Sequence, residues 1–160
     1  MNNFPRILLI ICFFHILVYS RDQMIAGGPM LHANFSNSRI ILSWGIEISY
    51  WAEFASDNNW YSVDIGIDIP FNYRDKNGFC TNIYSEFQMA VLSNGIASGF
   101  SIGPILNFDR NNMLGLQGSF WGDIFVGADC RLKLLKNTTF ISPGIFTKII
   151  GRSNFKVGFD

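Results

Sequence analysis

Residues 39 to 51 read Arg39-Ile40-Ile41-Leu42-Ser43-Trp44-Gly45-Ile46-Glu47-Ile48-Ser49-Tyr50-Trp51, and residues 61 to 69 read Tyr61-Ser62-Val63-Asp64-Ile65-Gly66-Ile67-Asp68-Ile69. In the first stretch Ile40, Leu42, Trp44, Ile46, Ile48 and Tyr50 share one parity, while Arg39, Ser43, Gly45, Glu47 and Ser49 share the other. In the second, every odd residue is apolar or aromatic and every even one is Ser, Asp or Gly. Successive side chains of a strand point to opposite faces, so each stretch is a strand with one greasy and one polar face. Between them, Ala55-Ser56-Asp57-Asn58-Asn59 has the composition of a turn. The pair predicts an antiparallel hairpin.

The same period runs through the rest of the chain. From 79 to 92, Ile83, Phe87, Met89 and Val91 alternate with Asn82, Tyr84, Glu86 and Gln88. After the turn Ser93-Asn94-Gly95, Ile96, Phe100, Ile102, Leu106 and Phe108 alternate with Ala97, Gly99, Ser101, Gly103 and Asn107. Beyond Asp109-Arg110-Asn111-Asn112 come Leu114, Leu116 and Phe120, a tight turn at Gly122-Asp123, then Ile124, Val126, Ala128, Cys130, Leu132 and Leu134. Lys136-Asn137 turns the chain into 139 to 149, and strands at 26 to 35 and 155 to 159 bring the candidates to nine. Helical spacing is absent from residue 21 onward. Because single-chain barrels favour even strand numbers, the expectation is an all-β, antiparallel up-and-down β-barrel of about eight strands, with ten as the other even count.

Composition agrees. Only 15% of the 160 residues are charged, against roughly 25% in soluble domains, and 16 Phe with 15 Gly fits neither a disordered tail nor a coiled coil. Twelve basic residues balance 12 acidic ones, which leaves no field to attract nucleic acid. The first 20 residues carry Arg6, an apolar run from 7 to 18 and a small residue at Ser20. That run is shorter than the ~20 residues of a transmembrane helix. It predicts a cleaved secretory signal peptide over 1–20, followed by a single domain over 21–160. Cys12 lies inside the run. Cys80 and Cys130 match no zinc spacing and fall on opposite parities of their strands, so two unpaired thiols are expected.

Alternation alone does not say which face is inside. A solvated exterior would be thick with Lys, Glu and Thr, yet the polar face holds Ser43, Gly45, Ser49, Gly66, Ala97, Gly99, Ser101 and Gly103. Such small residues suit the narrow interior of an eight-stranded barrel. They would make room for an interior polar network of Arg39, Glu47, Asp64, Asp68, Glu86, Gln88, Arg131 and Lys148. The apolar face is then the outer one, and Tyr50, Trp51, Trp60, Tyr61, Phe71 and Tyr73 at strand ends are expected as interface aromatics. The alternative is a soluble secreted barrel with the same strands reversed and an apolar ligand inside.

In this pattern the chain resembles the small outer-membrane β-barrel proteins of Gram-negative bacteria, over essentially the whole of 21–160. Members of that class usually end on an aromatic residue in an alternating strand; here Phe159 is penultimate, before Asp160. The resemblance implies location in the cell outer membrane, contact with outer-membrane lipid and with the barrel-assembly machinery, and a role in adhesion, envelope maintenance, defence or lipid modification. Some members act on lipid A through a His paired with Ser. His32 is the one histidine after residue 20, and its parity, shared with Met30 and Asn34, turns it inward, away from lipid. Asp64 and Asp68 stand about 13 Å apart along a strand, too far for paired-carboxylate hydrolysis. No cluster has metal-ligand spacing, no loop cradles phosphate, and no cofactor is expected. Asn34-Phe35-Ser36 and Asn137-Thr138-Thr139 match the glycosylation pattern, without meaning in a bacterial source. The longest connection, Asn72 to Gly78, is polar and would be the most exposed contact surface for any surface ligand. The expected function is non-enzymatic: an envelope-structural or surface-contact barrel with a packed, non-conducting interior.

Overall fold

The computed structural model describes residues 23–36, 39–53, 59–71, 81–93, 96–108, 113–123, 126–136 and 138–152. The strands are β1 (Gln23–Ser36), β2 (Arg39–Glu53), β3 (Asn59–Pro70), β4 (Asn82–Ser93), β5 (Ile96–Asn107), β6 (Met113–Asp123), β7 (Gly127–Leu135) and β8. The last comes in two pieces, Thr138–Phe146 and Ile149–Arg152. Every strand pairs antiparallel with the next, and β1 pairs with both β2 and β8, so the sheet closes on itself. The expected all-β, eight-stranded up-and-down barrel is what the chain forms.

The ninth candidate divides into two outcomes. The piece Ile149–Arg152 continues β8: Met30 faces Phe146 and Gly27 faces Ile149, one step back along β1 for each step forward along β8 across the gap. The ladder breaks opposite Pro29, which has no N–H to give, although its carbonyl still accepts from Thr147 N at 3.1 Å. The stretch 155 to 159, like the signal segment 1–20, Cys80 and the connection 72 to 78, lies outside the described residues. The turn expected at Gly122-Asp123 comes later, because both residues still pair, with Ala128 and Gly127.

Register fixes the shape. Starting from Ile25, the pairings lead through Tyr50, Val63, Phe87, Ile102, Gly118, Leu132 and Ile141 to Phe35, ten residues further along β1. A shear of about 33 Å over a circumference of about 38 Å tilts the strands by about 40°. Each residue then climbs about 2.5 Å, so about ten residues cross a 25 Å apolar band. The strands, leaving aside the short second piece of β8, are 9 to 15 residues long.

All nine residues on that path face outward, and the face they belong to is apolar. Ile46, Ile48, Ile65, Phe100, Ile102, Phe120, Ile141 and Ile145 are each about half exposed or more. Among the described residues, no outward strand position carries Asp, Glu, Lys or Arg. The inward positions are the reverse: Ser43, Glu47, Ser49, Asp64, Asp68, Glu86, Gln88, Ser101, Gln117, Arg131 and Lys133 are buried. The arrangement with the apolar face lining a cavity is therefore not the one adopted.

Glycines on the polar face create space for particular neighbours. A Cβ on Gly66 would lie 2.2 Å from the Tyr84 ring, and one on Gly144 would lie 2.1 Å from the His32 ring. The lumen that results has three layers. Ile105, Leu135 and Phe140 fill the end where β1–β2, β3–β4, β5–β6 and β7–β8 connect, here the loop end. Charged and polar side chains fill the middle. Trp51, Trp121 and Phe146 fill the other, turn end, stacked edge-to-face with centroids 5.7 Å and 6.3 Å apart.

Candidate functional site

Among the described residues, ionisable groups converge in the lumen's middle layer. Strand parity puts them there: Ala128, Cys130, Leu132 and Leu134 face out from β7, so Asp129, Arg131 and Lys133 must face in. Arg131 is the hub. Its Nη2 donates to Glu47 Oε2 at 2.9 Å, its Nε donates to Asp129 Oδ2, and its guanidinium lies 4.9 Å from the Tyr84 ring centre. Tyr84 Oη donates to the same Glu47 oxygen at 2.7 Å.

Lys148 enters from the break in β8 and reaches across to β2 and β3. Its Nζ lies 2.7 Å from Glu47 Oε1, 2.8 Å from Ser49 Oγ and 3.1 Å from Asp64 Oδ2. Asp64 also accepts from Ser49, Ser62 and Gln88. Glu86 is held by neutral donors, Ser101 Oγ at 2.7 Å and Gln117 Nε2 at 2.6 Å. Toward the loop end, Lys133 Nζ bridges Asp68 and Asn34, and Ser142 completes the Asn34 oxygen. Each buried ion is thus paired or hydrogen-bonded, which is the condition for keeping charges out of water.

Of the eight residues expected in the interior network, the structure brings seven together: Glu47, Asp64, Asp68, Glu86, Gln88, Arg131 and Lys148. Arg39 is the correction. It has inward parity but begins β2 at the barrel rim, where the lumen opens, and it is exposed. Sequence reading passed over Lys133, Asp129 and Gln117, each of which parity alone would have turned inward.

The expected interface aromatics also divide. Tyr50, Tyr61 and Phe71 have outward parity, with Tyr61 stacked on Phe87 at 5.9 Å and Phe71 60% exposed. Trp51 and Trp60 are corrections: Trp51 shares the parity of Glu47 and Ser49, Trp60 that of Ser62 and Asp64, so both turn into the lumen mouth. Tyr73 lies outside the described residues. Cys130 is a free, exposed thiol on the outer wall.

His32 is buried, with Nε2 3.0 and 3.1 Å from the two Asp129 oxygens. Its Nδ1 meets no hydrogen-bond partner among the described residues, so no hydroxyl is poised for activation as a nucleophile. Among the described residues, no three of His, Cys, Asp and Glu are grouped to hold a metal ion. The network's geometry is that of mutual neutralisation across a narrow barrel. No protein-family model matches the chain, and comparison with curated proteins finds no match.

Proposed function

We propose that this chain is a small outer-membrane β-barrel protein, exported by a signal peptide at 1–20, whose role is envelope-structural or surface contact rather than catalysis. The single observation that carries the reading is the inversion of polarity: among the described strand residues, charged side chains take inward positions, within the lumen or at its rim, and the outward positions are free of charge all the way round. A protein dissolved in water gains nothing by exposing Ile40, Ile65, Leu114, Phe120 and Ile141 while burying Glu47, Asp64 and Lys133. In lipid that arrangement is required. The strands have the length that a 25 Å band demands at their tilt, and closure leaves no unpaired edge in the apolar phase.

The interior supports a barrel that does not conduct. Arg131 and Lys148 cross the lumen at mid-height, and apolar side chains fill both ends. β1 begins and β8 ends at the turn end, while β3 and β4, joined by the longest connection, between Pro70 and Asn82, meet it at the loop end; that connection is the segment we assign to a surface partner. Membrane fractionation with heat-modifiable gel mobility tests the assignment. The folded barrel should sediment with membranes and migrate differently when unboiled; recovery in the soluble fraction would overturn it.

A further inference from the structure

We infer that the turn-end mouth of the lumen is a binding pocket for a small organic ammonium that carries an oxygen on the neighbouring carbon, the chemistry of a 2-aminoethanol unit. The cavity there has a volume of about 80 Å³. Trp51, Trp60 and Trp121 wall it, Asp123 lines it from the end of β6, and Lys148 reaches it from the polar layer. Two of these side chains lack a partner. The buried Oδ1 of Asp123 and the buried indole N–H of Trp121 meet no hydrogen-bond acceptor or donor among the described residues. Trp121 is 6% exposed, and Asp123 stands two residues on along the same strand, so both belong to its inward face. A buried acceptor and a buried donor left open on one face are costly unless something occupies them.

The lining selects by complement. Asp123 needs a donor and Trp121 an acceptor. An apolar molecule would leave both unmet. An anion would face the Asp123 carboxylate, and Lys148 has no N–H to spare for it, since its three are directed at Glu47, Asp64 and Ser49. An ammonium makes a charge-assisted bond to Asp123 and rests against indole faces, which draw cations. Those faces already hold one: Lys148 Nζ lies 5.4 Å from the Trp51 ring centre and 5.8 Å from that of Trp121. Glu47 at 2.7 Å and Asp64 at 3.1 Å offset the Lys148 charge, so it does not bar a second ammonium. The ligand's oxygen then accepts from the Trp121 N–H. On the scale by which a cavity of about 150 Å³ holds benzene, this one holds roughly three or four non-hydrogen atoms, a 2-aminoethanol unit rather than a ring. A free amino alcohol or the aminoethyl head of a lipid supplies that unit. This inference concerns the lumen and does not depend on what surrounds the barrel.

The test uses the full chain folded in detergent and carrying Trp44→Phe, so that only pocket tryptophans emit. At neutral pH and constant ionic strength, their emission is titrated with 2-aminoethanol, ethylene glycol, glycolate and ethylamine, which are close in size and differ in charge or in the oxygen. A saturable change with 2-aminoethanol is expected, with the glycol and the glycolate weaker by at least about tenfold and ethylamine by about fivefold, the worth of a charged and of a neutral hydrogen bond. Asp123→Asn should weaken 2-aminoethanol by at least about tenfold. Trp121→Phe, which keeps a ring and loses the N–H, should bring 2-aminoethanol down to the level of ethylamine. If Trp121→Phe fails to give a heat-modifiable folded band, Asp123→Asn alone decides. Glycerophosphoethanolamine separates the two sources: binding tighter than that of 2-aminoethanol identifies a lipid head, and weaker binding a free amino alcohol. A response that stays linear, that Asp123→Asn leaves unchanged, or that the glycol, the glycolate or ethylamine matches would overturn the inference.

Discussion

Replacing Arg131 by Met removes the hub of the lumen while keeping much of its volume. The guanidinium is 4% exposed and holds Glu47 at 2.9 Å and Asp129 through Nε. Without it, Glu47 retains Lys148 at 2.7 Å, but Asp129 is left with His32 as its partner. Removing one member of a buried pair costs about 3 to 5 kcal/mol, because the other charge stays buried and uncompensated. Arg131→Met should therefore destabilise the barrel by that amount in urea unfolding from lipid vesicles. Adding Asp129→Asn removes the orphaned charge and should recover roughly half of the loss. Arg131→Lys should fall between, since an ammonium keeps the charge but cannot fork to both carboxylates. A loss below about 1 kcal/mol for Arg131→Met, the value of an exposed pair, would show that water reaches the network and that the lumen is not packed.

Other outcomes follow from the same geometry. Gly66→Ala, whose Cβ would meet the Tyr84 ring at 2.2 Å, should cost about 1 to 3 kcal/mol by overpacking, whereas Gly122→Ala, with its nearest atom at 3.9 Å, should change stability little; unfolding midpoints compare the two. Ile65→Arg, at a position 61% exposed, should cost about 2 to 4 kcal/mol near a bilayer midplane, and tolerance of it would mean that the outer wall meets water. In a Cys12→Ser/Cys80→Ser chain, exposed Cys130 should react with a charged maleimide in urea and be protected in vesicles; equal rates would place that wall in water.

Most of this architecture was legible because period two is a local property. Trp44, Ile46 and Ile48 against Gly45, Glu47 and Ser49 state a strand and its two faces without reference to any partner. What parity states, it states for every residue: Trp51 and Trp60 stand at strand ends, as interface aromatics do, yet their parity turns them inward. Arg39 fails in the opposite way: its parity is inward, but parity does not say how far the enclosed lumen extends along a strand. Partnerships were out of reach for another reason. Lys148 meets Glu47 and Asp64 only because the barrel closes with a ten-residue shear, and closure is a property of all eight strands. The break in β8 likewise depends on Pro29 arriving from the far end of the chain.

The central claim is that Trp44 and its neighbours touch lipid while the other tryptophans do not. Trp44 is 40% exposed on the outer wall, between Leu31 and Ile69 of the flanking strands. A Trp51→Phe/Trp60→Phe/Trp121→Phe chain emits from Trp44 alone, and a Trp44→Phe chain emits from the lumen. Reconstituted in vesicles of lipids brominated along the acyl chains, the first should lose most of its fluorescence and the second little. Equal quenching of the two, or none of Trp44, would contradict the account.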